Sequence, residues 1–267
     1  MGAGSPLSLL RLLVGAGADE AIEELPLNRY VHKVSKEQIR RPDPRVLATF
    51  RENTSSVASG VANDKEFLAS SPRTIETLEE LRMSVEAFDG CQLKRTATNT
   101  VFADGNPKAD LMLIGEAPGA EEDRKGIPFV GKAGHLLDRM LAAIDRDRGS
   151  AYITNVLFWR PPGNRNPTAE EIDVCLPFVK RHIAVVQPRV LVLVGAVAAK
   201  SLLDLTEGIS RIRGKWYSYD LGGVDTPIDT TAIFHPAFLL RQGNKKRETW
   251  QDLIAIRTRL SSHQERG

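Results

Sequence analysis

Four short apolar runs, Asp110–Ile114, Ala151–Val156, Arg189–Val194 and Thr230–Phe234, are separated by stretches in which hydrophobic residues repeat at helical spacing. Leu111-Met-Leu-Ile114 and Val190-Leu-Val-Leu-Val194 are apolar at every position, so a strand at either place is buried on both faces. Between the runs, Gly134–Ile144 puts Leu137, Met140, Leu141 and Ile144 on one helix face. Thr168–Val186 opens with Thr168-Ala-Glu-Glu171, in which the Thr and Glu side chains can cap each other's backbone donors; Pro177 inside it predicts a kink. Ala196–Leu205 is a third helix, and Lys246–Leu260 closes the chain with Trp250, Leu253, Ile254 and Leu260 expected in the core. Strands joined by helices form a parallel sheet covered on both faces. The expected fold is α/β, a three-layer αβα sandwich around a central four-stranded parallel sheet.

Upstream, Thr74–Phe88 reads as an amphipathic helix with Ile75, Leu78, Leu81 and Val85 on one side. Residues 1–72 differ in character and are expected to form an N-terminal extension to a domain spanning 73–267. Leu7–Val14 is a short helix there, Arg40-Arg-Pro-Asp-Pro-Arg45 a break, and residues 53–62 a flexible linker. Ser8–Val14 imitates a signal peptide but lacks a basic leader and is interrupted by Arg11. Met1-Gly2 lacks the Ser or Thr that myristoylation wants, since Pro6 stands there. Gly15-Ala-Gly17 lacks the third glycine of a dinucleotide fingerprint. No stretch is long and apolar enough to cross a membrane. Two cysteines in 267 residues make neither a disulfide framework nor a self-sufficient metal site, and a reducing cytoplasm is the expected home.

In a parallel α/β sheet, ligands bind beyond the carboxyl ends of the strands. Those ends carry Gly115-Glu116-Ala117-Pro118, Thr154-Asn155, Gly195 and His235-Pro236. An acid, an amide and an imidazole therefore converge on one crevice. Each has a plainer reading: a solvated turn glutamate, a satisfied strand-end amide and a packed histidine. Their convergence favours chemistry. Asn155 offers a donor and an acceptor on one carboxamide, suited to bidentate recognition. Glu121, Glu122 and Asp123 read as structural, favouring a helix N-terminus. Phe129, in Gly126-Ile-Pro-Phe-Val-Gly131, is either core or a platform for a flat ligand. The net charge of +2 is too mild to name a partner, but three basic loops share the rim: Arg160–Arg165, Arg211–Lys215 and the segment from His235 through Arg241 to Arg247. They suggest a polyanion gripped through its phosphates.

Taken together, Gly115-Glu-Ala-Pro-Gly119, Gly126–Gly131 with Ala133-Gly134, Tyr152-Ile-Thr-Asn155, Arg160-Pro-Pro-Gly-Asn-Arg165 and His235-Pro-Ala-Phe-Leu-Leu-Arg241 resemble the type 4 branch of the uracil-DNA glycosylase superfamily. The resemblance covers roughly residues 75–260. It implies hydrolysis of the N-glycosidic bond of deoxyuridine in DNA, releasing uracil and leaving an abasic site for downstream repair proteins. It also implies roles: Glu116 and His235 catalytic; Gly115, Ala117, Phe129 and Asn155 in the uracil pocket; Arg160, Arg165, Arg213 and Arg241 on DNA. Leu239 or Leu240 would wedge into the stack vacated by a flipped base.

The family holds a [4Fe-4S] cluster on four cysteines. Here Cys91 and Cys175 occupy two of those places, and Phe88 and Trp159 stand at the others. Two thiolates fall short of the four ligands such a cluster needs, so no cofactor and no metal are expected. The loop Arg160–Thr168 also lacks the histidine through which one relative bonds covalently to the abasic sugar, so ordinary turnover is expected. A monomer acting on uracil-containing DNA in the cytoplasm, at the nucleoid, completes the expectation. The alternatives are a damaged-DNA binding module without turnover and a glycosylase for another deaminated base.

Overall fold

A computed structural model describes residues 75–220 and 227–264. The expected helix at Leu7–Val14 and the linker at 53–62 lie outside the described residues.

The first described helix is α1, Leu78–Ala87, with Thr77 as its cap. Thr77 Oγ1 accepts the Glu80 N–H at 3.2 Å, and the Glu80 carboxylate accepts the Thr77 N–H at 3.1 Å. Strand β1 is only Asp104–Gly105; β2 follows at Leu111–Gly115, then α2 at Ala120–Lys125 and α3 at Lys132–Ala142. Strand β3, Tyr152–Asn155, leads into α4, Ala169–Val186. The chain continues through β4 (Val190–Val194), α5 (Ala196–Leu203), α6 (Ile209–Ile212), β5 (Trp216–Tyr219) and β6 (Ile228–Ile233). It ends in α7, Pro236–Arg241, and α8, Lys246–Gln264. The capping box at α4 forms as the sequence predicts: the Glu171 carboxylate accepts the Thr168 N–H at 2.9 Å and Thr168 Oγ1 accepts the Glu171 N–H at 3.3 Å. The helix runs unbroken through Pro177.

The sheet order is β1-β3-β2-β4-β6-β5. Its four inner strands are parallel, with Gly115 opposite Asn155, Leu113 opposite Val192, and Val194 opposite Ile233. These are the four strands read from the sequence. The structure adds two antiparallel edges, β1 on β3 and β5 on β6, so the sheet has six strands rather than four. Side chains alternate across it. Met112, Ile114, Leu191 and Leu193 share a core with α1, α4 and α5. Leu111, Leu113, Val190, Val192 and Val194 face the other way, onto α3, α7 and α8. Those are the three layers expected.

From β2 the chain moves to β3 on one side, and from β4 it moves to β6 on the other. The crevice between β2 and β4 is therefore the switch point at which such sheets hold ligands.

One helix face is corrected. Trp250 and Ile254, expected in the core, are 49% and 48% exposed. Helix α8 instead buries Thr249, Asp252, Leu253, Ile256 and Leu260, a face on the other side of the same helix.

Candidate active site

The residues at the strand ends meet as the topology requires. Gly115 closes β2 opposite Asn155, the last residue of β3. A β-carbon on Gly115 would lie 2.4 Å from Asn155 Oδ1 and 2.4 Å from Phe129 Cζ. The Phe129 ring thus packs on a bare Cα, beside the carboxamide. Asn155 is only 2% exposed, and its Oδ1 has no hydrogen-bond donor among the described residues. A buried acceptor left unsatisfied costs free energy that a ligand's N–H recovers.

Glu116 follows directly and is half-buried. Burial pushes its carboxyl above the usual glutamate range, and no cation or hydrogen-bond donor among the described residues opposes the shift. Ala117 packs at the edge of the core on the α1 side of the sheet.

The acidic run after Pro118 is structural, as read. Glu122 accepts the backbone N–H groups of Gly119, Val130 and Gly131 at 3.1, 2.9 and 2.8 Å. Asp123 is buried and accepts those of Thr98 and Asn99 at 2.8 and 3.2 Å, while Glu121 pairs with Arg124 on the surface. The run ties down both ends of the loop that carries Phe129.

His235 caps α7, its Nδ1 accepting the Ala237 N–H at 3.1 Å. In the neutral ring the proton therefore resides on Nε2. Burial lowers the imidazole pKa to about 4, aided by the charge of Arg241 and opposed by that of Glu122. His235 is thus a neutral Nε2–H donor at physiological pH. Its ring stacks against Phe129 at 5.7 Å and 28°. Gly195, at φ +100°, leaves room for it: a β-carbon there would lie 3.1 Å from that of His235.

Among the expected DNA contacts, two are corrected. Leu239 is 1% exposed and belongs to the α7–α8 core, whereas Leu240 is 46% exposed. Arg213 is largely buried; its guanidinium grips Asp252 of α8 through Nε and Nη2, donates to the Glu248 carbonyl at 2.6 Å and lies over the Phe234 ring. It fastens the loop after α6 to α8, and its remaining nitrogen, Nη1, faces the Glu248 carboxylate at 3.5 Å, so the guanidinium is engaged by α8. Arg241 is exposed at the end of α7. Arg160 donates to Asn164 Oδ1 at 2.7 Å, and Arg165 pairs with Glu171, so the rim loop after β3 is braced by its own side chains.

Arg148 escaped the sequence reading. In Asp145-Arg-Asp-Arg148 it looks like one charge of a solvated run. In the structure it donates to the carbonyls of Pro128 and Phe129.

The four positions of the family's metal cluster do come together. The Cys91 and Cys175 thiols are free and buried. Phe88 folds over Gly90 and packs on Phe178 at 5.1 Å and Trp159 at 6.5 Å, and Trp159 donates to Thr100 Oγ1 at 3.0 Å. Two thiols and two aromatic rings do not fit a four-thiolate cluster. Among the described residues no group of three or more His, Cys, Asp or Glu is placed to hold a metal ion.

A parallel α/β sheet with a carboxylate, an amide and a neutral imidazole at its switch point defines a hydrolase-like pocket for a flat polar ligand. The sequence model of the uracil DNA glycosylase superfamily matches residues 102–254, and the chain belongs to that family. Its relatives include a type-4 uracil-DNA glycosylase of Archaeoglobus fulgidus, 40% identical over 186 residues that cover 68% of this chain and 92% of the relative. A type-4 enzyme of Pyrobaculum aerophilum is 38% identical over 180 residues, 66% of this chain and 91% of its own. Another from Thermotoga maritima is 39% identical over 167 residues, 62% and 84% of the two chains.

Proposed function

We propose that this chain is a monofunctional uracil-DNA glycosylase of base excision repair. It hydrolyses the bond between deoxyribose and uracil, releasing the base and leaving an abasic site. The observation that carries the reading is that an unsatisfied amide oxygen and a neutral Nε2–H imidazole flank one aromatic ring packed on Gly115, and that a half-buried carboxylate without a cationic partner follows Gly115 directly.

Cleavage builds positive charge on the sugar and negative charge on the departing base. Glu116, little solvated, orients a water for attack at C1′, accepts its proton, and meanwhile stabilises the cationic sugar. The C1′–O bond forms as the C1′–N bond breaks, and the base leaves with the bonding electrons. His235 Nε2–H donates to the base oxygen on which that charge collects. A neutral donor needs no proton transfer to do so, and its pKa of about 4 keeps it neutral. Asn155 Oδ1 accepts the N–H of the base, and Phe129 stacks on the ring over the bare Gly115.

A base in a duplex must leave the stack to reach this pocket. Exposed Leu240 is the side chain suited to fill the gap, with Arg241, Arg160 and Arg165 along the phosphates. No metal or cluster takes part: the Phe88–Trp159–Phe178 packing replaces the cluster as the joint between α1 and α4. Stoichiometric iron with visible absorbance in anaerobically purified protein would overturn that. A monomer suffices, and two buried free thiols suit a reducing cytoplasm.

The test is base release from oligonucleotides carrying uracil, hypoxanthine, xanthine or a mismatched thymine. Multiple-turnover release of uracil above the others is expected. Preference for another base would move the substrate, and binding without release would leave a recognition module.

A further inference from the structure

Phe129 sits at φ +55°, in the left-handed region that a side chain with a β-carbon avoids. Such a conformation persists where the surroundings over-determine it. Resting on the glycosylase reading above, we propose that Arg148 is the positioning residue that holds Phe129 in this conformation, and so fixes the floor of the base pocket.

The peptide planes on either side of Phe129 set its φ and ψ. Arg148 Nη1 donates to the Pro128 carbonyl at 3.1 Å, in the plane before; Nη2 donates to the Phe129 carbonyl, in the plane after. The opposite edge of that second plane, the Val130 N–H, is taken by Glu122 at 2.9 Å. One plane is thus held from both sides and the other from one. Gly134 closes the remaining direction, since a β-carbon there would lie 1.7 Å from the Phe129 oxygen.

Arg148 is itself anchored. Nε donates to Asp138 of α3 at 2.8 Å, and Nη1 also donates to Asp104 of β1 at 2.6 Å. All three guanidinium nitrogens are committed, and the fork ties the loop to a helix and a strand at once. Ion pairs this exposed contribute little to stability by themselves. Their contribution here is directional, because they aim the fork at two carbonyls. Lysine, with a single nitrogen, cannot span the same four acceptors. Arg148 touches neither the pocket face of the ring nor the reacting atoms, so it acts through Phe129 alone.

The experiment measures kcat and KM on uracil-containing single-stranded DNA for wild type, Arg148→Ala and Arg148→Lys, at a temperature where melting curves show each fully folded. Misplacing a pocket group by about 1 Å can cost about 100-fold in rate. The expected result is a kcat lower by roughly that factor in Arg148→Ala, KM within about threefold, and partial recovery in Arg148→Lys. If Arg148→Ala fails to fold, Arg148→Lys carries the test, and wild-type kcat there overturns the proposal. A purely structural role would lower the melting temperature and leave kcat unchanged, which also overturns it. If the wild type itself releases no uracil, the glycosylase reading fails and takes the role of Arg148 with it. Turnover by the wild type undiminished in both variants overturns the Arg148 proposal alone.

Discussion

Gly115→Ala adds one methyl group at the most crowded point of the pocket. The new β-carbon would stand 2.4 Å from both Phe129 Cζ and Asn155 Oδ1, about 1 Å inside van der Waals contact. Neither neighbour yields cheaply. The Phe129 backbone is held by Glu122, Arg148 and Gly134, and Asn155 is buried at a strand end in register with Gly115 itself. Overpacking of this kind costs about 1–3 kcal/mol of stability, while a displacement of about 1 Å in two base-contacting groups costs about 100-fold in kcat. DNA affinity should hold, since the proposed phosphate contacts lie on the rim. The assay is single-turnover uracil release with parallel melting curves and binding to an abasic-site oligonucleotide. Gly208→Ala is the control, because a β-carbon there meets nothing within 4 Å. Release by Gly115→Ala within threefold of wild type would refute the packing argument.

Three further outcomes follow from the same geometry. His182 is buried, bonded to Tyr152 through Nδ1, with a pKa lowered to about 3 by burial and then by Arg82. In the unfolded chain it titrates near 6.5, so stability is full above that pH and falls as pH drops toward 3, by about 1.4 kcal/mol per unit, and His235 acts in the same direction. Denaturant melts from pH 7 to 5 should show the slope, and His182→Phe should reduce it, leaving the part that His235 contributes. Leu239→Ala should lower stability by about 2–5 kcal/mol, whereas Leu240→Ala should melt like wild type and lose activity on duplex but not single-stranded DNA. Arg213→Ala, by stranding Asp252, should destabilise by about 3–5 kcal/mol without weakening DNA binding in the folded fraction, read by melting and a binding titration.

The sheet was legible because β2 and β4 are apolar at every position, a pattern that only a doubly covered strand explains. The site was legible because topology sends strand ends to one crevice whatever the side chains do. The edge strands were not: two residues of β1 carry no periodicity, and β5, Trp-Tyr-Ser-Tyr, is half-exposed. Nor does sequence decide between adjacent helix positions. Leu239 and Leu240 differ only in azimuth, and the packing of α7 on α8 selects which points out. Trp250 and Ile254 form as good an apolar stripe as Leu253 and Ile256, yet the sheet takes the second. Arg213 and Arg148 looked like surface charge because their partners Asp252 and Asp104 lie far away in sequence. Long-range ion pairs leave no local pattern.

The most direct test of the account is uracil release under multiple turnover by wild type, Glu116→Gln and His235→Ala, with the pH profile of kcat/KM. The account predicts turnover by the wild type that collapses in both variants while DNA binding persists. It also predicts an acid limb in the wild type lying above the ordinary glutamate range, where Glu116 takes up its proton. Wild-type rates in either variant, or binding with no release by the wild type, would contradict it.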